Sequence, residues 1–244
     1  MKKVFILLAI AAMTMVACNK PENGDDPSGE GENKEYAAPI KIDGDFTDWA
    51  ALGDKVQVVK CAPSSSNLDL KLMKVYGDKY YVFVYLEFDY SAYEAVTSNY
   101  LNFIINGDND KATGGYKGPF DQGETPCVDM LIQGAVIADG VDCEFDPYVG
   151  LWPDTMAANS PDWPSPSWTE VENNNFIIGK GSKKAWEFQI TRELYPAGKL
   201  AKEFGLGALC TVNGWDATGA LPNADATETN PAGEADLLTV TYNK

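Results

Sequence analysis

The sequence predicts an all-β protein, an antiparallel, jelly-roll-like β-sandwich of about ten strands. Two observations support this fold class. Short segments rich in β-branched and aromatic residues are separated by Gly, Asn, Asp and Pro residues that are typical of turns. Helical periodicity is confined to segments 91–97 and 192–204, and Pro196 and Gly198 limit the second. Residues 37–244 are therefore expected to form one sandwich domain.

The clearest strand pair lies early in this domain. Segment 68–76 begins with an alternation of apolar and polar residues, and segment 79–88 is a continuous apolar and aromatic run. Gly77 and Asp78 between them predict a hairpin-like turn. The other predicted strands, in chain order, are 56–61, 100–105, 128–132, 176–178, 186–190, 206–212 and 237–242.

Strand 186–190 shows the strand periodicity most simply. Trp186, Phe188 and Ile190 share one face, and Glu187 and Gln189 share the other. The alternation predicts a half-buried strand, with the two polar side chains away from the core.

The first residues predict export. Two lysines, an apolar run and small residues before Cys18 form the layout of a signal peptide over residues 1–17. Met15, Val16, Ala17 and Cys18 resemble a bacterial lipobox, which implies cleavage before Cys18 and lipid on that cysteine. The alternative is an ordinary export signal that is cut near Ala17. With lipid on Cys18, we expect an outer-membrane lipoprotein that faces outward from the cell and is anchored through its acyl chains.

Residues 18–36 predict a flexible acidic tether. The segment has too few apolar residues to bury a core, and it gives on the order of 20–25 Å of slack between lipid and domain. It resembles the tethers of surface-exported lipoproteins from glycan-foraging gut anaerobes.

The overall composition excludes several classes of function. The net charge of −17 argues against nucleic acid, which binds clustered Lys and Arg, and also against highly anionic glycans. The absence of histidine excludes Ser-His-Asp and Cys-His catalysis and histidine zinc sites. No carboxylate pair with the spacing of a glycosidase is evident, so the protein is expected not to be an enzyme.

The four cysteines after Cys18 predict two disulfides, because their number is even and the chain is exported. Cys127 and Cys143 bracket an apparent hairpin, which favours a Cys127–Cys143 bridge and leaves Cys61–Cys210. The alternative is that all four are buried thiols.

Four segments resemble, in order, the family nine carbohydrate-binding modules and their relatives, the DOMON-like β-sandwiches. They are IKIDGDFTDW at 40–49, FIINGDNDKATGG at 103–115, CVDMLIQG at 127–134 and AWEFQITREL at 185–194. Together they span most of the domain, although Thr191 stands where that family has a proline. The resemblance implies a sandwich that binds a polysaccharide or oligosaccharide.

The acidic loop is the predicted metal site. Asp108 and Asp110 alternate in a Gly-rich loop, Asp129 begins the next strand, and Asp121 is a further candidate. Calcium takes six to eight oxygen ligands, and the resemblance implies calcium here in some family members. The alternative is a solvated hairpin tip, in which Asp, Asn and Gly supply turn conformations.

The six tryptophans divide into core and candidate ligand-binding residues. Trp49 and Trp186 lie in strand-like contexts and are expected in the core. The candidates are Trp152, Trp163 and Trp168, which occur within one long loop-like segment, and Trp215 in VNGWDATG. Indole faces stack on the apolar faces of sugar rings, so these four are expected to bind a glycan. The alternatives are packing against the edge of the sandwich, and a protein interface in a surface nutrient-uptake complex.

Overall fold

The computed structural model describes residues 36–65, 69–115, 118–120, 127–152, 167–170, 176–182, 184–192 and 200–242. The chain divides into two units, residues 1–37 and 38–244, and the second contains all the strands below. Cys18 and the signal segment lie outside the described residues. Within the described part of the chain, no helix combines the length and apolarity that crossing a bilayer requires.

The described chain is an antiparallel β-sandwich, which confirms the predicted fold class. A helical turn, α1 (Asp48–Ala51), and a 3₁₀ turn, Gly53–Lys55, precede the strands. The strands are β1 Gln57–Lys60, β2 Leu70–Gly77, β3 Tyr81–Phe88, β4 Asn99–Asn106, β5 Met130–Ala138, β6 Val141–Asp142, β7 Tyr148–Leu151, β8 Ser167–Glu170, β9 Ile177–Ser182, β10 Ala185–Thr191, β11 Glu203–Val212, β12 Gly219–Leu221 and β13 Leu238–Thr241.

Two sheets form the layers of the sandwich. The first sheet has the order β1-β2-β3-β10-β9. The second has the order β12-β11-β4-β5-β7-β8, with β13 also paired to β11 and β6 to β5. The strands of 68–76 and 79–88 pair as the predicted hairpin, β2 with β3.

The main core lies between the two sheets. Alternate residues of each strand point inward, for example Met73 and Val84 from the first sheet and Phe103 and Leu206 from the second, all with no exposed area. This burial of apolar area is the main force that holds the layers together. Trp186 is 2% exposed in this core, as predicted.

The face of β10 that was expected to be polar is also covered. Residues 40–56 pack on the outer side of the first sheet, where Ile40 and Trp49 join Phe83 and Tyr85 in a second apolar cluster. Glu187 is consequently 0% exposed. The prediction of a half-buried strand is therefore corrected at Glu187, because a covering segment cannot be read from the periodicity of β10 alone.

The four cysteines of the domain, all among the described residues, form no disulfide with one another. Cys127 precedes the start of β5, whereas Cys143 lies beside Val136 near its end. Val136 is nine positions after Cys127 along a largely extended chain, a span of on the order of 30 Å, whereas a disulfide needs Cα atoms within about 7 Å.

The other predicted pairing, Cys61 with Cys210, is also corrected. The Cys61 sulfur accepts a hydrogen bond from Asn223 Nδ2 at 3.3 Å. The Cys210 sulfur lies 3.8 Å from Thr218 Oγ1, inside the core. The two sulfurs thus have separate polar neighbours.

Candidate functional site

An exposed aromatic pair lies at one end of the second sheet. Trp215, in the loop after β11, is 71% exposed, which is the largest exposure among the large apolar side chains described. Its ring stacks on that of Tyr100 from β4, with 4.7 Å between centroids and 25° between planes. Offset stacking of this kind keeps the outer indole face open to solvent in a defined orientation.

The loop that carries Trp215 is held by the side chain of Asn213. The Oδ1 atom of Asn213 accepts hydrogen bonds from the backbone N–H of Thr97 at 2.7 Å and of Ser98 at 3.3 Å. Its Nδ2 donates to the carbonyl of Ala95 at 2.7 Å. Asn213 has a φ of 55°, a left-handed conformation that Asn tolerates better than most residues. The start of the loop is thereby fixed against segment 95–98.

The end of the same loop is held by Thr218. Its Oγ1 accepts a hydrogen bond from the backbone N–H of Val212 at 3.1 Å, across the base of the loop. The backbone N–H of Thr218 donates to the carbonyl of Cys210 at 3.0 Å. Because both ends are bonded, the position of Trp215 is set before any ligand arrives.

Polar and aromatic residues continue from this pair across the outer face of the second sheet. Asn102, two residues after Tyr100, pairs with Gln133 of β5, which pairs with Tyr148 of β7. Gln133 Nε2 donates to Asn102 Oδ1 at 2.7 Å, which fixes the orientation of the Gln133 amide. Tyr148 is 51% exposed. We call Trp215, Tyr100, Gln133 and Tyr148 the aromatic–amide strip.

Trp152, a predicted ligand-binding residue, is in the interior. It is 5% exposed and packs with Phe120, Val128 and Ile104 on the outer side of the second sheet. Its indole ring lies against Gly115, where a Cβ would clash with it. The structure therefore corrects the expectation for Trp152, which is a packing residue and has no free face for a sugar.

The other two candidate tryptophans are only partly located. Trp163 lies outside the described residues. Trp168 lies in β8, where its backbone is opposite Gly150 of β7, and its side chain is outside the description. Of the four candidates, Trp215 alone has a described and exposed side chain. Trp49 is 4% exposed, in agreement with its prediction as a core residue.

Asp129, just before β5, accepts hydrogen bonds from the backbone at the start of the acidic loop. It is 3% exposed, and its Oδ2 accepts hydrogen bonds from the backbone N–H of Gly107 at 2.7 Å and of Asp108 at 3.4 Å. Asn109 in this loop has a φ of 61°. A buried carboxylate that receives two N–H groups stabilises this tight turn.

The two remaining acidic residues bond within the loop itself. Asp108 Oδ1 accepts from the N–H of Asp110 at 2.8 Å, and Asp108 Oδ2 accepts from Thr113 Oγ1 at 2.7 Å. Asp110 Oδ1 accepts from the N–H of Ala112 at 2.8 Å. These bonds are the Asx type by which Asp favours turns.

Among the described residues, no group of three or more His, Cys, Asp or Glu side chains could hold a metal ion. Asp121 lies outside the described residues. The hydrogen bonds of Asp108, Asp110 and Asp129 explain the loop conformation, and calcium binding stays a prediction of the sequence.

A separate cleft of about 380 Å³ opens on the first sheet. Lys60 and Lys71 line it together with Cys61 and Glu87. Lys71 Nζ lies 3.5 Å from the carboxylate of Asp89. This cleft is charged, in contrast to the aromatic–amide strip.

Sequence reasoning missed Tyr100, Gln133 and Tyr148. The alternation of β4 carries a signal for Tyr100, because Leu101 and Phe103 point into the core and Tyr100 and Asn102 must point away from it. The pairing of β4 with β5 and of β5 with β7 is what places Gln133 and Tyr148 beside them.

No protein-family model, no curated protein and no solved structure matches the chain. The function is therefore inferred from the residues and the geometry above.

Proposed function

We propose that this protein is a non-catalytic, surface-anchored glycan-binding lipoprotein. The observation that carries the proposal is the side chain of Trp215, which is 71% exposed and is stacked on Tyr100 in a loop bonded at both ends. Leaving an indole exposed on a fixed loop forgoes the stabilisation that its burial would give, so a role in binding is favoured.

The aromatic–amide strip supplies the two kinds of contact that a sugar needs. The free face of Trp215 offers an apolar surface for the C–H face of a pyranose ring, and Tyr100 supports it from behind. Gln133 and Tyr148 offer amide and hydroxyl groups that exchange hydrogen bonds with sugar hydroxyls. The four motif segments that resemble carbohydrate-binding β-sandwiches support the same class of ligand.

The N-terminal region supports a location where polysaccharide is encountered. The signal-like residues 1–17, Cys18 and the acidic segment 18–36 together describe export, lipid attachment and a tether. We infer that the domain is displayed on the outer membrane, outside the cell, and that it holds glycans near that surface.

The test is affinity electrophoresis of the domain through gels that contain neutral plant, fungal or bacterial polysaccharides. We expect at least one polysaccharide to retard the wild type, and Trp215→Ala to weaken binding at least tenfold, or about 1.4 kcal/mol. Tyr80→Ala is the matched control, since Tyr80 is a partly exposed aromatic residue in the turn between β2 and β3, at the other sheet. Retardation by none of the polysaccharides would contradict the proposal.

A second candidate is an accessory subunit of a surface nutrient-uptake complex. The same exposed Trp215 favours it, because tryptophan is enriched at the energetic centres of protein interfaces. Chemical cross-linking on intact cells distinguishes the two. A defined partner that is captured by the wild type and lost in Trp215→Ala, without any glycan retention, favours the subunit.

A further inference from the structure

The aromatic–amide strip is uncharged, although the chain carries a net charge of −17. At the register positions around it in β11, β4, β5 and β7, the residues on the face away from the main core are Tyr100, Asn102, Thr211, Ala135, Gln133 and Tyr148, and of these Asn102 and Thr211 are buried, at 3% and 5% exposure. None of these six is a lysine, an arginine or an acid. Asp216 follows Trp215 in the loop, and in β8 the backbone of Glu170 is opposite that of Tyr148.

The strip is also extended along the face of the sheet. Tyr100 and Tyr148 lie two strands and two residues apart, which places their Cα atoms roughly 12 Å from each other. Tyr148 is 51% and Trp215 71% exposed, so both stand at the surface. Groups arranged in this way contact successive rings of a chain that lies across the sheet.

We infer that the strip binds an internal stretch of an uncharged polysaccharide and discriminates against the same chain when it carries carboxylates. This inference rests on the proposed function and adds the class of ligand and the way it is presented.

The preference for uncharged chains follows from what the strip can offer. Bringing a carboxylate or sulfate onto it costs desolvation, and none of the six outward residues supplies a cation that would compensate. Asp216 adds repulsion at the Trp215 end. Hydroxyl groups, in contrast, are matched by the Gln133 amide and the Tyr148 hydroxyl without any unpaired charge.

The preference for an internal stretch follows from the exposed positions of the contact groups. A single sugar over Trp215 leaves Gln133 and Tyr148 unused, so affinity is expected to rise as more rings are added. The end of the chain has no special partner among the four residues of the strip, so its chemical form should not matter.

The test compares polysaccharides with chemically modified forms of themselves. A neutral glucan, mannan or xylan that retards the wild type is compared with its C6-oxidised or carboxymethylated form, which adds carboxylates to the same backbone. Calorimetry is expected to show at least tenfold weaker binding of the charged form. Borohydride reduction of the chain ends is expected to change the affinity less than twofold, and oligosaccharides are expected to compete better than the monosaccharide.

Variants separate this inference from the proposed function. Trp215→Ala is expected to weaken binding of the neutral chain at least tenfold, whereas Lys60→Ala, in the charged cleft of the first sheet, is expected to leave it unchanged. Equal or tighter binding of the charged form that depends on Trp215 would overturn the inference and leave the proposed function standing. Loss of binding when the chain ends are reduced would also overturn the inference and leave the proposed function standing. No binding of any chain would overturn both.

Discussion

The indole N–H of Trp49 donates a hydrogen bond of 3.2 Å to the buried carboxylate of Glu187, 138 residues later in the chain. The other oxygen of Glu187 accepts hydrogen bonds from the backbone N–H groups of Asp43 at 3.0 Å and Gly44 at 2.8 Å. Gly44 has a φ of 85°, a conformation that glycine adopts without strain. The Glu187 carboxylate on β10 therefore stabilises the position of segment 40–56, which covers the outer side of the first sheet.

Removal of this carboxylate is expected to be costly. Glu187→Ala leaves three N–H donors without their acceptor, so the free energy of unfolding is expected to fall by about 3 kcal/mol or more. Gln189→Ala, on the same face of β10 and only partly buried, is the control and is expected to change it by less than about 1 kcal/mol. Urea denaturation followed by tryptophan fluorescence measures both, and equal effects would contradict the role of Glu187.

Glu187 should also contribute to the pH dependence of stability. Burial raises the pKa of its carboxyl, and the hydrogen bonds from Gly44, Trp49 and Asp43 offset part of that rise. Since the folded-state pKa exceeds the unfolded value of about 4.3, folding takes up a proton between the two values. The stability of the wild type relative to Glu187→Gln should therefore decrease as the pH rises through this window. If the unfolding free energies of the wild type and Glu187→Gln change in parallel between pH 4 and 7, the predicted contribution of Glu187 is contradicted.

Trp152 and Trp215 are expected to respond oppositely to truncation. Trp152→Ala opens a cavity beside Gly115 and Phe120, with an expected loss of about 3–5 kcal/mol of stability. Trp215→Ala removes an exposed ring and is expected to cost less than about 1.5 kcal/mol, mainly from its stacking on Tyr100. Thermal denaturation of the two variants measures the difference. Similar losses would show that Trp215 is a packing residue.

Asn213 is expected to act on ligand binding through the position of Trp215. Asn213→Gly keeps the left-handed backbone and loses the side-chain bonds to Thr97, Ser98 and Ala95. The loop then samples more conformations, so affinity for a retained polysaccharide should fall about three- to tenfold. Calorimetry measures the loss, and Gly214→Ala, at a position with open space around it, is the control. An unchanged affinity would contradict the positioning role.

The thiols give a direct check on the corrected disulfides. The domain without Cys18, denatured without reductant, is expected to release the colour of four thiols with Ellman's reagent. In the native protein, Cys210 should react last, because burial raises its pKa to about 12 and its side chain is inaccessible. Detection of two thiols or fewer would show that the protein contains at least one disulfide, and it would contradict the correction.

We expect the melting temperature of the protein to respond only weakly to calcium, because of the hydrogen bonds in the acidic loop. Since Asp108, Asp110 and Asp129 are engaged in hydrogen bonds, the melting temperature is expected to stay within about 1 °C in millimolar calcium or in chelator. A calcium-dependent rise that disappears in Asp108→Asn would instead support the calcium site predicted from the sequence. Glu203→Gln, an exposed acid of β11, controls for a general charge effect.

Local patterns in the sequence were sufficient to predict most of the strands. The runs that became β2, β3, β4, β10 and β11 could be read from alternation and β-branched composition, because each face of a strand has one environment over its length. Trp186 was predicted in the core for the same reason, whereas Trp49, also predicted in the core, lies in the helical turn α1. The disulfide prediction was wrong because parity of cysteines carries no information on distance, and Cys127 and Cys143 lie towards opposite ends of β5.

The sequence by itself determined the all-β class, the positions of most strands and the acidic, histidine-free chemistry of the chain. Only the tertiary structure decided which aromatic and acidic residues are covered. It buried Trp152 and Glu187 and left Trp215 exposed on Tyr100. The physical reason is that exposure depends on which distant segments pack over a residue. The register of β4 with β5 and β7, which assembles Tyr100, Gln133 and Tyr148 into one strip, is a long-range pairing that local sequence does not encode.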